Sequence, residues 1–198
     1  MKRVFRVVAA CVSMFVISAC DGTPPVADNT NTPAPATAPN VDAELEQLKA
    51  VTPADACAWL PAEKLAAIYP DVKFELNQKV DPRLSGYAWD SRCVYWGGVG
   101  TIDYAKDLPT HTVEIFAMTP VSVTKAQSNL ASRQEMAIGT TGYQTQPDLG
   151  TNAYTTLETG VARLFFVKGQ SEVQINISDL DTPSDEKIKK TVVIAQSL

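Results

Sequence analysis

The clearest signal in this 198-residue chain is a change of hydrophobic period along its second half. The segment "EVQINIS" alternates strictly, with Val173, Ile175 and Ile177 on one side and polar residues on the other, which predicts a half-buried strand. Residues 168–170 contain a glycine and separate this segment from the apolar "ARLFFV", so the two segments are predicted to form a hairpin. "NAYTTLE", just before them, is predicted to be a third strand.

Three threonine–proline pairs, at residues 52–53, 119–120 and 182–183, predict helix starts. In each pair a hydroxyl is available to cap a helix, and the proline has its φ angle preset for a first turn. We predict helices over residues 53–68, split near Pro61, over about 120–136, and from 183 to the end. The last one carries Ile188, Val192 and Ala195 on one face. The segment "VDAELEQLKA", with Asp42 as N-cap, favours a further short helix.

In the first half, "KFELNQKV", "RCVYWGG" and "HTVEIFAM" predict three more strands, and the polar run "DPRLSGYAWDSR" predicts a loop. The order is then helix, strands, helix, strands, helix. Such an order predicts an α+β fold, with a mostly antiparallel sheet of about five or six strands and helices packed on one side. Residues 53–198 suit a single domain with one core.

Residues 1–19 have the build of an export signal. Lys2, Arg3 and Arg6 precede a short apolar run, and that run is too brief for a bilayer span, which needs ~20 apolar residues. Its end, "ISAC", resembles the bacterial lipobox, in which the cysteine receives a diacylglycerol and becomes the first residue of the mature protein. That resemblance implies lipidation of Cys20; an ordinary cleaved signal or an uncleaved anchor are the alternatives. Asp21 resembles the signal that retains enterobacterial lipoproteins in the inner membrane.

Residues 20–52 are predicted to be a tether from Cys20 to the body. Residues 22–40 contain five prolines and no aromatic residue, so this stretch cannot bury enough apolar surface to offset its ordering entropy. A single acyl chain holds a protein only weakly, whereas the lipoprotein cysteine carries at least two. We therefore expect a protein of the cell envelope whose partner is the membrane through Cys20, with its body outside the cytosol.

The charge balance excludes one class of partner. Removal of the signal and its three basic residues leaves 14 Lys plus Arg against 22 Asp plus Glu, a net charge of −8. Such a surface repels nucleic acid and anionic headgroups.

The two cysteines left in the body are expected to pair. Cys11 leaves with the signal and Cys20 is lipidated, so Cys57 and Cys93 remain in an oxidising compartment. Two free buried thiols are the alternative. Redox chemistry is disfavoured because the body contains no C-x-x-C motif.

The candidate chemical motifs give little support for an enzyme, a metal or a cofactor. His111 is the single histidine, and no G-x-S-x-G elbow accompanies it, so we interpret it as a surface or strand-end residue. "GGVG" and "GTTG", at residues 97–100 and 139–142, lack the features of a phosphate cradle and are interpreted as a loose turn and a helix exit. Asp179 and Asp181 lack the glycine and closing glutamate of a calcium loop. Three carboxylates are candidates for acid catalysis, but nothing in the sequence shows that they converge: Glu75, Asp81 and Asp90.

An aromatic cluster flanks Cys93 and is the most promising candidate for a ligand or partner surface. Two interpretations stay open: the rings fill the core around the disulfide, or some of them lie outside and contact a ligand. The members of the cluster are Tyr87, Trp89, Tyr95, Trp96 and Tyr104.

The body resembles the small two-cysteine lipoprotein domains of unknown function found in bacterial envelopes. The matching segments are "DACAWL", "RCVY", "DLGTNAYT", the following hairpin and the last helix. The resemblance implies a PsbP-like α+β fold and a bridge between the two cysteines, and it transfers no catalytic residue. We expect a protein-interaction or accessory binding module. The alternatives are a carrier or sensor of a small apolar or lipid ligand and, least favoured, a carboxylate-based hydrolase.

Overall fold

The computed structural model describes residues 41–100 and 108–198. The predicted signal, Cys20, Asp21, the prolines of the predicted tether and Tyr104 lie outside these residues. The helices are α1 (Val41–Lys49), α2 (Ala56–Trp59), α3 (Ala62–Ile68), α4 (Val123–Ala137) and α5 (Ser184–Ser197). The strands are β1 (Lys73–Ser85), β2 (Ala88–Gly98), β3 (His111–Thr119), β4 (Gln144–Thr145), β5 (Tyr154–Glu158), β6 (Val161–Lys168) and β7 (Ser171–Asp179).

The described strands form one antiparallel sheet in the order β1-β2-β3-β7-β6-β5-β4. The α+β class and the antiparallel sheet are confirmed, but the predicted count of five or six strands is too low, because the sheet has seven. The additional strand is the two-residue β4, which pairs with β5 through Gln144 and Thr145. A segment that short has no measurable alternation, so sequence patterning cannot reveal it.

The predicted loop over "DPRLSGYAWDSR" is wrong, because most of it is a hairpin that joins β1 to β2. Arg83 pairs with Asp90, and Ser85 pairs with Ala88 around the turn. Two register shifts interrupt β1, the second between Val80 and Arg83, where Pro82 lies. Proline is tolerated there because β1 is an edge strand and the irregularity removes the need for a ladder donor.

The inner face of the sheet holds the core. Ile115 on β3 lies opposite Cys93 on β2 and Ile175 on β7, and Leu164 follows on β6. All four are fully buried. The alternation predicted for β7 is confirmed, since Val173, Ile175 and Ile177 are among the most buried residues of the core.

The prediction that all helices pack on one side of the sheet is wrong. Helices α2, α3 and α5 supply residues to the core of the inner face, whereas α4 lies on the outer face. There the buried Leu130 packs among outer-face side chains, and Asn129 donates a hydrogen bond to Glu172 at 2.7 Å. Helix α4 lies there because Phe116 on β3 and Phe165 on β6 point away from the core, and a helix on the outer face shields these two side chains from solvent.

The predicted helices at residues 53–68, 120–136 and 183–198 are confirmed, but their threonines are not the caps. Asp55 caps α2 by accepting from two backbone amides, and Ser122 caps α4. Thr119 and Thr182 are used elsewhere: the hydroxyl of Thr119 bonds Ser171, and that of Thr182 bonds Asp179. Asp55 and Ser122 each lie three residues after the threonine predicted as the cap, and the N-cap of α5 is Pro183, which makes no side-chain cap bond.

The Cys57–Cys93 disulfide is confirmed, with Cα atoms 5.0 Å apart. It joins α2 to β2 in the middle of the inner face. A hydrogen bond from the amide of Ala56 to the hydroxyl of Ser91, at 3.1 Å, lies beside it. Along residues 41–100 and 108–198, no helix is both long and apolar enough to span a bilayer.

Candidate functional site

The aromatic residues around Cys93 do not form one surface. Tyr95 points into the core, where its hydroxyl donates to the carbonyl oxygen of Leu60 at 2.6 Å. Its neighbour Trp96 points to the outer face, because successive side chains of a strand alternate. Trp89 donates from Nε1 to the carbonyl oxygen of Leu48 at 2.8 Å and so holds α1. Tyr87, 65% exposed, lies in the hairpin turn.

His111 is a structural residue at the first position of β3, and it is buried rather than on the surface. Its Nε2 lies 3.3 Å from Asp179, and its Nδ1 lies 2.8 Å from the hydroxyl of Thr110. The ring also contacts Tyr69 edge-on, at 5.8 Å between centroids. These contacts join the start of β3 to the end of β7.

The Asp179–Asp181 turn uses its carboxylate internally. Asp179 accepts from the amides of Asp181 and Thr182 and from the Thr182 hydroxyl. Burial alone would raise the pKa of Asp179, but these hydrogen bonds and the neighbouring His111 hold it below its ordinary value. Within the described residues, no group of three or more potential ligands is placed to hold a metal ion.

The carboxylates considered for acid catalysis lie on the β1–β2 hairpin. Glu75 and Asp81 sit on the exposed edge strand, and each forms an ion pair with a lysine, at 2.9 Å to Lys73 and 2.8 Å to Lys79. Asp90 lies on β2, opposite Arg83.

The interpretation of "GGVG" as a loose turn is half wrong. Gly97 and Gly98 belong to β2, and the ring of Phe74 packs against the first of them. A Cβ atom on Gly97 would stand 2.6 Å from that ring, so glycine there allows the close approach of a core aromatic.

An open concavity lies on the outer face of the sheet, and we call it the α4 groove. It has a volume of about 740 Å³, within the range typical of small-molecule sites. Its wall is the second half of α4 and the following loop, and its floor is the outer face of β5 and β6. The residues that line it are Arg133, Met136, Ala137, Gly139, Thr140, Thr141, Tyr154, Thr156, Leu157, Glu158, Thr159, Arg163 and Phe165.

Aromatic rings form the floor of the α4 groove. Tyr154 on β5 and Phe165 on β6 are directly opposite in the sheet and stack with centroids 4.8 Å apart and planes inclined by 17°. Tyr143 lies against Tyr154 at 5.9 Å. Burial raises the pKa of the Tyr154 hydroxyl, and the positive charge of Arg133 opposes that shift. The rings of Tyr154 and Phe165 cover each other's faces, and Tyr154 is only 3% exposed, so the half-buried Phe165 supplies most of the aromatic surface open to the groove, with a cation close to it.

The loop after α4 closes one side of the α4 groove through a glycine. Thr141 accepts a hydrogen bond from the Leu157 amide at 2.7 Å. Gly142 has φ +69°, and a Cβ atom there would lie 2.6 Å from Leu157 Cβ and 2.8 Å from its amide nitrogen. Only glycine permits this approach, so "GTTG" is both the predicted exit of the helix and a wall of the groove.

Two arginines supply positive charge to the α4 groove. Arg163, on β6, pairs with the rim residue Glu158 at 2.5 Å. Arg133, on α4, lies 3.7 Å from Glu172 beneath the helix. Burial raises the pKa of Glu172, while the Asn129 hydrogen bond and Arg133 oppose the rise.

Sequence reasoning missed the α4 groove for a physical reason. Tyr154 and Phe165 lie on predicted strands, but they meet only through the β5–β6 register and the placement of α4. The alternation of side chains along "ARLFFV" gives a partial indication, because Phe165 falls on the opposite face of the strand from Leu164 and Phe166. A phenylalanine on the face away from the core indicates that this face is covered or contacts a ligand.

No protein-family model and no curated protein matches this sequence. Among solved structures, the chain is similar to the extracellular domain of PknH from Mycobacterium tuberculosis. The similarity has a TM-score of 0.48 and 10% sequence identity, and covers 74% of this chain and 99% of that domain.

Proposed function

We propose that this protein is a lipid-anchored binding module of the cell envelope, which holds a small ligand in the α4 groove outside the cytosol. The observation that carries the proposal is the groove itself, an open concavity of about 740 Å³ with an aromatic floor and a few polar groups at its edges. Such a combination is the usual composition of a small-molecule site. Of the functions expected from the sequence, it favours the carrier or sensor.

Binding rather than turnover is assigned from the chemistry of the lining residues. Among the described residues that line the groove, the charged ones are Arg133, Arg163 and Glu158. The glutamate is bonded to an arginine, and no lining cysteine or histidine accompanies the threonine hydroxyls. Nucleophilic catalysis needs a hydroxyl or thiol beside a base, and a carboxylate hydrolase needs a second acid.

The compartment is supported by the Cys57–Cys93 bridge, because structural disulfides persist in oxidising compartments. The anchor is the lipidated Cys20, and Asp21 favours the inner membrane. Cys20→Ala is expected to abolish metabolic palmitate labelling, because the thioether can no longer form. Labelling that persists in this variant would refute the anchor, whereas a wild-type mature chain with an unmodified cysteine in its intact mass would refute lipidation itself.

Filling the groove tests the binding function directly. Thr156 lies on the outer face of β5, inside the α4 groove, and is half-buried. Thr156→Trp should therefore occupy the site and weaken binding of the neutral dye N-phenylnaphthylamine by about tenfold or more. The dye is titrated by fluorescence into the mature chain, residues 20–198, carrying Cys20→Ala so that no acyl chain competes.

Thr112→Trp is the matched control, because Thr112 is half-buried on the same face of the sheet, on β3, outside the α4 groove. It should leave dye binding unchanged. Equal loss in both variants, or no dye binding by the wild type, would contradict the proposed site.

A protein partner remains the second candidate, and one observation favours it. Leu45 and Leu48 of α1, with Gly86 and Tyr87 of the hairpin turn, line an apolar hollow of about 270 Å³. Tyr87 is 65% exposed there, and exposed tyrosines are frequent anchors of protein interfaces.

A further inference from the structure

We infer that the α4 groove is selective for an amphipathic organic acid: a small molecule with one carboxylate on a planar or apolar body. This inference rests on the proposed function and specifies its ligand. The body would pack against Phe165 and Met136, which line the groove, and the carboxylate would accept hydrogen bonds from Arg133 and Arg163.

The lining of the groove contains more basic than acidic residues, although each arginine has a glutamate nearby, Glu158 beside Arg163 and Glu172 beside Arg133. The chain carries a formal net charge of −5, yet two of the three charged residues that line the groove are arginines. Selectivity for an anion therefore depends on the guanidinium donors that these glutamates leave unused, since a cationic ligand has no use for such donors.

The guanidinium of Arg133 is largely unused by the protein. Its contact with Glu172, at 3.7 Å, is longer than a hydrogen bond. Within the described part of the chain, Arg133 donates no hydrogen bond. A guanidinium has five N–H donors in a planar fork that matches a carboxylate. Arg133 is therefore held at the groove by charge, with its donors available.

The guanidinium of Arg163 also has hydrogen-bond donors that the protein does not use. Its contact with Glu158 is made through Nη1, while Nε is shielded from solvent and has no hydrogen-bond partner among the described residues. An unpaired donor of this kind is costly, and an oxyanion in the groove would relieve that cost.

The two arginines and the aromatic floor match an amphipathic molecule in their arrangement. Arg163 neighbours Phe165 on the same face of β6, and Arg133 is close enough to Tyr154 to affect its ionisation. The groove therefore places the two guanidinium groups beside the half-buried ring of Phe165. An inorganic anion would use the charge and leave the rings bare, and a plain hydrocarbon would do the reverse.

Glu158 competes with the ligand carboxylate for Arg163. Its side chain is 62% exposed at the rim and occupies Arg163. A ligand carboxylate must displace this contact or share it. Removing the Glu158 charge should therefore strengthen anion binding, which is a gain that damage to the fold does not explain.

Two dyes with one ring system isolate the effect of charge. Anilinonaphthalenesulfonate is an anion, and N-phenylnaphthylamine is its neutral counterpart. With the mature chain carrying Cys20→Ala, Arg133→Met and Arg163→Met should each weaken binding of the anionic dye by about tenfold, the value of one charge-assisted contact. Both should weaken binding of the neutral dye by less than they weaken binding of the anionic dye, so that the preference of the groove for the anionic dye falls. Glu158→Gln should tighten the anionic dye alone.

Arg92→Met is the matched control. Arg92 lies on the outer face at β2 and pairs with Glu114, and its side chain is 42% exposed against 39% for Arg133 and 33% for Arg163. Its removal should change neither dye. Equal melting temperatures across the series exclude dye uptake by partly unfolded protein.

Competition identifies the ligand class. Naphthoate should displace the anionic dye, whereas inorganic phosphate and phosphatidylglycerol vesicles should not. If phosphate or the vesicles displace the dye and naphthoate does not, the carboxylic-acid assignment is overturned. If Thr156→Trp blocks the neutral dye but the arginine variants bind both dyes normally, the groove is a binding site without anion selectivity, and only this inference falls. If the groove binds neither dye, the proposed function falls with it.

Discussion

Loss of the Cys57–Cys93 bridge is expected to lower the free energy of unfolding by about 3 to 4 kcal/mol. The bond closes a loop across a sequence separation of 36 residues, and opening it restores conformational entropy to the unfolded chain. For a domain of this size the change corresponds to a fall of about 10 °C in melting temperature. Cys57→Ala and Cys93→Ala should each show it by calorimetry in non-reducing buffer.

The double variant provides the control for this prediction. Because either single change already breaks the bond, Cys57→Ala with Cys93→Ala should lose little more than one change alone. The wild type in reductant should approach the same melting temperature. A reduced wild type as stable as the oxidised protein would refute the stabilising role of the bridge.

Gly142→Ala is expected to lower the free energy of unfolding by about 2 to 3 kcal/mol, combining a positive-φ cost with overpacking. The new methyl group would collide with the Cβ atom and amide nitrogen of Leu157, at 2.6 and 2.8 Å. Neither atom belongs to the free end of a flexible side chain, so the loop must move away from β5. That movement opens one wall of the α4 groove, and binding of N-phenylnaphthylamine should weaken as well.

Gly139→Ala separates the two contributions. Gly139 lies in the same loop with φ +85°, but a Cβ atom there has no neighbour within 4 Å. It should therefore lose only about 1 kcal/mol. Denaturant unfolding of both variants measures the difference. Equal losses would mean that contact with Leu157 does not hold this loop.

The elements with strong local signals were predictable from the sequence. The strict alternation of β7, the glycine turn between β6 and β7, and the helices near the three prolines all follow from backbone and side-chain preferences within a few residues. The cysteine pair was also predictable, because the predicted signal and lipobox account for Cys11 and Cys20 and leave Cys57 and Cys93 in the body. In these segments local preference and tertiary packing act in the same direction.

The errors arose where long-range packing decides the outcome. Strand β3 carries Ile115 on one face and Phe116 on the other, so its sequence alone does not tell which face a helix covers. The β1–β2 hairpin is polar and contains Pro82, and these are features of loops as well as of edge strands. Strand β4 is held by pairing with β5 rather than by any pattern of its own.

The candidate site shows the same division. The sequence predicted a ligand or partner surface among the aromatic residues near Cys93. The structure instead places Tyr95 in the core and Trp96 on the opposite face of the sheet. The α4 groove depends on three long-range facts: the β5–β6 register that stacks Tyr154 on Phe165, the side of the sheet on which α4 lies, and the Gly142 contact. None of them is encoded within one short segment.

The most direct test of this account is a residue-resolved NMR titration of the mature chain with anilinonaphthalenesulfonate. We expect the largest shift changes at the amides of Tyr154 and Phe165 and at the guanidinium Nε–H signals of Arg133 and Arg163. The signal of Arg92, on the same face, should stay in place. Changes confined to Leu45 and Tyr87 would instead assign binding to the apolar hollow, and the α4 groove would no longer be the ligand site.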